Sequence, residues 1–312
     1  MLNRRILRIK AFKVLFSYAL NRTMTLKEAL SDLDTSCEAT RDLYLLMLAL
    51  SGPLTAEAAR RTEAARQKFN PTEEELHPNL KFVRNALAPL LENDPDFRKL
   101  LERKGLSWDQ DDAFIHRLFE TVKTRSYYAA YMADPEISLA QDVRLFKKIY
   151  ETEFEDDEDL AQMLEDRSIL WTDDLPYALT WVIRSLDEIA RTGQWNLPPL
   201  YQSEILIAQG KPADDDRAFV RKLLTCAFGR FDEYYAQVAD SVRGWDKDRL
   251  FMSDAVIIAM GLAEAGNFPE IPVRVTINEY VEISKYYSTP KSRSFVNGLL
   301  DRLIKENKDI VL

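Results

Sequence analysis

PEIPVRVTINEYVEISKYYSTPKSRSFVNGLLDRLIK, residues 269–305, decides how the rest of the chain is read. Its apolar residues fall into two runs at helical spacing. Val273, Ile277 and Val281, with Tyr280 loosely beside them, make one stripe; Phe295, Leu299, Leu300 and Leu303 make another. Between the runs lies a polar elbow, Tyr287-Ser288-Thr289-Pro290-Lys291. The expectation is two short helices, each burying one face. Thr289 and Pro290 suit the cap and first position of the second helix, because a proline has no N–H to leave unpaired there. The first helix has two candidate starts, Pro272 or a capping box of Thr276 and Glu279, and the pattern leaves both open.

Gly298 interrupts the second run. A glycine inside a helix costs about 1 kcal/mol relative to alanine, so the expectation is a close approach of another backbone. Asn297 beside it is polar where a plain core helix would be apolar. Lys291 and Arg293 lie on and just after the elbow, with Phe295 beyond. An aromatic face beside two cations and the N–H groups of a helix start suits a single-stranded nucleic acid, with bases on the ring and phosphates on the charges. The competing reading is an ordinary helical hairpin with Phe295 in the core and its cations solvated.

The same stretch resembles the C-terminal signature of the NusB family. Ile277-Asn278-Glu279 matches an INEA-type helix, and Phe295-Val296-Asn297-Gly298 matches the FVNG run that follows a Ser/Lys-containing elbow. A second match opens the chain: Arg4-Arg5-Ile6-Leu7-Arg8-Ile9-Lys10-Ala11-Phe12-Lys13-Val14-Leu15-Phe16-Ser17-Tyr18 is similar to the family's first helix. From residue 214 a charged-aromatic helix opens with Asp216-Arg217-Ala218-Phe219 and runs to about Val242. Trp245 to Leu250 follows, then an apolar helix over 254–265. That order resembles the third to fifth NusB helices.

Composition sets the frame. The chain has 312 residues, few glycines and no long β-branched runs, which points to an all-α protein. A formal net charge of −9 confines any nucleic-acid contact to a local patch. Cys37 and Cys226 are far apart and make neither a metal motif nor a disulfide framework, which fits a reducing cytoplasm. No signal-peptide pattern and no membrane-spanning apolar run is present. His77 and His116 are the only histidines and stand in no triad or metal-ligand spacing, so the chain reads as no enzyme, with no cofactor and no metal.

Residues 3–20 read as a basic amphipathic helix. Its Arg4, Arg5 and Arg8 lie against the helix dipole, an arrangement that suits a waiting anion; a solvated charge run is the alternative. Residues 25–69 read as two helices, with Gly52-Pro53 as a break or kink. Helices are expected over 79–91, 95–102, 111–132 and 175–189. Tyr127, Tyr128 and Tyr131 read as core or helix contacts rather than base stackers. The acidic run 151–159 lacks calcium-loop spacing and reads as a solvated face. Asp111-Asp112-Ala113-Phe114 echoes Asp216-Arg217-Ala218-Phe219, either as a degenerate duplication of the bundle or as the ordinary likeness of helical sequences.

The resemblance implies a NusB-type helical bundle, enlarged by an extra helical region: residues 1–24 as its first helix, 25–210 as an insertion, with the echo around 111–190, and 211–312 as the C-terminal bundle. It also implies a factor that binds boxA RNA of rRNA leaders together with NusE, a small-subunit ribosomal protein, within the RNA polymerase antitermination complex. Matched positions carry over as RNA contacts at Arg4, Arg5, Arg8, Ser292, Phe295 and Asn297. Lys291 and Arg293 join them on chemistry alone. Two rivals are a helical scaffold that has lost RNA binding and an accessory domain of an rRNA-modifying system. The chain has no methyl-donor glycine signature and no Pro-Cys motif to favour the latter.

Overall fold

A computed structural model describes residues 1–154, 157–242 and 251–307. In chain order its helices are α1 (Arg4–Leu20), α2 (Leu26–Ala49), α3 (Ser51–Arg66), α4 (Glu73–Leu76), α5 (Leu87–Glu92), α6 (Pro95–Lys104), α7 (Asp112–Thr124), α8 (Ser126–Ala133), α9 (Leu139–Thr152), α10 (Glu158–Arg167), α11 (Leu175–Thr192), α12 (Gln202–Ala208), α13 (Asp216–Gly229), α14 (Phe231–Ser241), α15 (Met252–Asn267), α16 (Val273–Tyr287) and α17 (Ser292–Glu306). No strand occurs among the described residues; Leu2 and Tyr201 form one isolated parallel bridge. The fold is all-α.

Two compact units share the chain. One comprises residues 38–198 with Met1; the other comprises residues 2–37 and 199–312. The second unit is built around α15, which is buried from Asp254 to Ala265. A helix that is apolar all round can be stable only when other helices cover every face. Here α1, α13, α14, α16 and α17 pack on it. The close backbone approach expected at Gly298 does not occur; the crowded glycine is Gly261 of α15, and it is crowded by side chains. A Cβ there would stand 2.7 Å from Leu300 Cδ2 and 3.3 Å from Tyr280 Cδ2, whereas one on Gly298 would meet nothing within 4 Å.

The first unit closes over the apolar half of α2. Polar tips of its aromatic residues are satisfied at that helix, as buried N–H and O–H groups require. Trp108 Nε1 donates to the Leu46 carbonyl at 2.8 Å, Tyr150 Oη to Met47 at 2.6 Å, and Trp195 Nε1 to Tyr44 Oη at 2.9 Å. Tyr131 is buried and donates to Asp142 at 2.6 Å, whereas Tyr128 is half-buried and packs edge-on to Phe82 and Phe119, so the first is a core residue and the second a packing contact.

Several boundaries differ from the sequence reading. The helix expected over 111–132 breaks at Arg125, whose backbone is extended (φ −78°, ψ 140°). There the Arg125 guanidinium and Tyr127 hydroxyl both reach the Glu153 carboxylate, so satisfying a nearly buried charge outweighs helix continuity. The helix expected from 214 to about 242 breaks at Arg230, directly after Gly229. Gly52 and Pro53 break nothing: they sit in the first turn of α3, and the break falls at Leu50. Of the helix expected over 79–91, only the end from Leu87 forms, continuing to Glu92. The segment from Trp245 to Leu250 lies outside the described residues, as do two residues of the acidic run.

Candidate nucleic-acid interface

The start of α1 is organised by carboxylates. Asn3 caps it, its side chain accepting from the Ile6 N–H at 3.0 Å. Arg8 is 3% exposed and points inward. Its Nε and Nη2 donate to the two oxygens of Glu264 at 2.7 and 2.8 Å. Glu264, from α15, also accepts from Thr276 Oγ1 at 2.9 Å and Tyr280 Oη at 3.1 Å, both on α16. This buried knot explains why the stripe of α16 differs from the apolar one expected. Thr276, Tyr280, Val281, Ile283 and Ser284 are buried, while Val273 and Ile277 are only half-buried. Thr276 is spent on Glu264, so it caps nothing, and the helix begins at Val273 after Pro272. Burial opposes the Arg8 charge, but the hydrogen bonds and charge of Glu264 overcome it and raise its pKa.

Arg4 and Arg5 are paired as well. Arg4 reaches Asp214 at 3.0 Å and Asp216 at 3.3 Å, with its guanidinium 4.7 Å from the centre of the Phe219 ring. Arg5 holds Glu279 bidentately at 2.9 and 2.7 Å and remains half-exposed. Those hydrogen bonds, more than partial burial, keep the Glu279 carboxyl below the usual glutamate range. The arginines therefore do not wait for an outside anion. Each already faces a carboxylate that lay far away in sequence.

The elbow is held by hydroxyls. Ser292 Oγ donates to Asp254 Oδ2 at 2.8 Å, accepts from Ser288 Oγ at 2.9 Å, and lies 2.9 Å from Thr289 Oγ1. Ser292 is 2% exposed. Burial pushes the Asp254 carboxyl above its ordinary pKa, although Ser288 and Ser292 partly oppose this. The helix begins at Ser292 rather than at Pro290, and Lys291 at its cap makes no side-chain capping bond.

Between α16 and α17 runs an open groove of about 750 Å³, lined by Arg5, Val275, Asn278, Glu279, Val281, Glu282, Arg293, Ser294 and Asn297. A neighbouring groove of about 540 Å³ shares Arg5, Val275 and Glu279 and continues to Arg4 and Asn3. The two ends of the chain thus meet: Arg5, Arg293 and Asn297 share one groove, and Arg4 lines the next. Lys291 is exposed but lines neither, and Phe295 is half-buried on another flank of α17. Arg8 and Ser292 are sealed inside and act as supports, which corrects the expectation that they touch RNA directly.

Sequence reasoning missed Asn278, Glu282 and Ser294. Val275, Asn278, Glu279 and Glu282 recur at i, i+3, i+4 and i+7, a helical face that could have been found beside the apolar stripe. It also missed Glu264, one acid within an apolar run, and Tyr286, which is 80% exposed at the end of α16. Among the described residues, no group of three His, Cys, Asp or Glu side chains could hold a metal ion, and no helix is long and apolar enough to cross a membrane.

No solved structure matches the chain. The model of the NusB family matches residues 195–305, roughly a third of the protein. That span holds α15, α16, α17, the elbow and most of the groove. It does not reach α1, which nevertheless packs on α13 and α15 inside the same compact unit. With the INE and FVNG runs placed on the two walls of one groove, residues 195–305 are the part of this chain that belongs to the NusB family.

Proposed function

We propose that this protein is a transcription antitermination factor. It binds single-stranded boxA-type RNA of rRNA leaders, together with NusE, and so supports rRNA transcription and maturation. The observation that carries the reading is the shared groove: Arg5 from the first helix and Arg293 and Asn297 from the last line one open track within the NusB-family unit. Arg4 extends that track, and Lys291, at the cap of α17, is an exposed cation outside both grooves. The role is binding alone, with no reaction step, and the RNA polymerase antitermination complex is the assembly it would serve. The cytoplasm is the compartment this reading requires.

One observation favours the scaffold reading instead. Arg4, Arg5 and Arg8 are each matched by internal carboxylates, in a chain of net charge −9. Phosphates must therefore compete with Asp214 and Glu279. Anisotropy measurements with labelled boxA RNA, with and without NusE, separate the readings. The expected result is affinity that falls steeply with salt, through counterion release. The doubly substituted Arg5→Ala, Arg293→Ala protein should bind about tenfold or more weakly, and with a shallower salt slope. Wild-type binding no stronger than that of the double variant would favour the scaffold.

A further inference from the structure

The groove between α16 and α17 holds more than a phosphate track needs. Besides Arg5 and Arg293 it presents two carboxylates, Glu279 and Glu282, and two side-chain amides, Asn278 and Asn297. Carboxylates repel a polyphosphate backbone but accept hydrogen bonds from base edges. Glu279 is committed, since Arg5 holds both of its oxygens. Glu282 is only half committed. Its Oε1 accepts from Lys285 at 2.5 Å, an i,i+3 pair with both side chains about one-third exposed, and such pairs are weak. Its other oxygen has no partner among the described residues, and Asn297 and Arg293 make no side-chain hydrogen bond or ion pair there either.

That set of groups suits one base. On its pairing edge guanine carries two adjacent donors, N1–H and the N2 amine, which one carboxylate can accept side by side. Its O6 and N7 are acceptors for a guanidinium or an amide N–H. Adenine and cytosine each offer a single amine donor beside an acceptor, and uracil a single N–H between two acceptors. Unpaired RNA exposes these edges for reading. We propose that Glu282 is a specificity-determining residue that selects an unpaired guanine in this groove, with Arg293 and Asn297 donating to O6 and N7. The inference rests on the RNA-binding reading above and adds the base to it.

The test uses the full chain and three oligouridylate probes that differ at one central position: guanosine, inosine or adenosine. Inosine keeps N1–H, O6 and N7 and lacks only the N2 amine. Wild type should bind the guanosine probe about tenfold more tightly than the inosine probe, the effect of one charge-assisted hydrogen bond, and adenosine more weakly still. Glu282→Gln should bind guanosine and inosine alike and keep the salt dependence; its partly exposed position leaves the fold intact, which circular dichroism checks. Lys285→Ala, which releases the second carboxylate oxygen, should keep or enlarge the preference. Equal wild-type affinity for guanosine and inosine overturns the inference and leaves RNA binding standing. So does a Glu282→Gln protein that still prefers guanosine. If wild type binds none of the probes, this inference fails, and the boxA measurement above, made with and without NusE, decides whether the RNA-binding reading stands.

Discussion

Glu264 shows how much one side chain can organise. It is fully buried and accepts four hydrogen bonds, two from Arg8 and one each from Thr276 and Tyr280. A charge removed from water in this way is tolerable only because every partner is present, and removing one partner of such a pair typically costs about 3–5 kcal/mol. Arg8→Ala should therefore lower the urea midpoint strongly, while Arg4→Ala, whose own side chain is partly exposed although its partner Asp216 is buried, should lower it less. Asp254 is the contrasting case, because its Oδ1 is buried with no hydrogen-bond partner among the described residues. Its folded pKa is raised, so its contribution to stability is complete in acid and is lost as pH rises through that raised value. Asp254→Asn removes the penalty. In thermal melts across the pH range, the variant should gain on wild type as pH rises toward neutrality. Glu279 has the opposite sign. Its pKa is held down by Arg5, so the pair persists into mild acid and is lost only as pH falls through that lowered value. Carboxyl NMR should find its midpoint below the ordinary glutamate range, and Arg5→Ala should move it back up.

Among the helices, two glycines inside α15 and α17, Gly261 and Gly298, should respond in opposite directions. Gly298 of α17 opens onto empty space, so Gly298→Ala should stabilise the protein by about 1 kcal/mol. The same variant should weaken RNA binding if a ligand backbone crosses there. Gly261 of α15 is pressed by Leu300, which is itself fully buried and has nowhere to move. Gly261→Ala should cost about 1–3 kcal/mol by overpacking. Denaturant midpoints of the two variants check both signs. The apolar run that forms α15 was legible because a run with no polar face has only one environment in which it is stable. The starts of α16 and α17 were less legible. Thr276 and Thr289 carry good capping chemistry, yet their hydroxyls are drawn to Glu264 and to Ser292.

At the scale of the whole molecule, the compact unit that contains nearly all of the NusB-matched span is interrupted in the chain: residues 2–37 and 199–312 pack together although 161 residues, 38–198, separate them. It follows that residues 195–312 produced alone would bury Glu264 without Arg8. That fragment should be poorly folded by circular dichroism, and a peptide of residues 2–37 added in trans should restore helicity. A fragment that folds fully without the peptide would show that the buried pair is dispensable.

The sequence by itself determined the helical class, the two motif-bearing ends and the polar elbow, because these depend on local periodicity and on residue types that few backbones accept. It also marked Arg5, Arg293 and Asn297 as chemistry in search of a surface. Only the tertiary structure decided which carboxylate each arginine meets, that Arg8 and Ser292 are internal supports, and that Glu279 and Glu282 share the groove with the arginines. The pairings of Arg4, Arg5 and Arg8 join residues more than two hundred positions apart, and the Ser292–Asp254 contact joins two separate helices. A long-range ion pair leaves no periodic trace, because its energy comes from burial and geometry that exist only once the helices have packed.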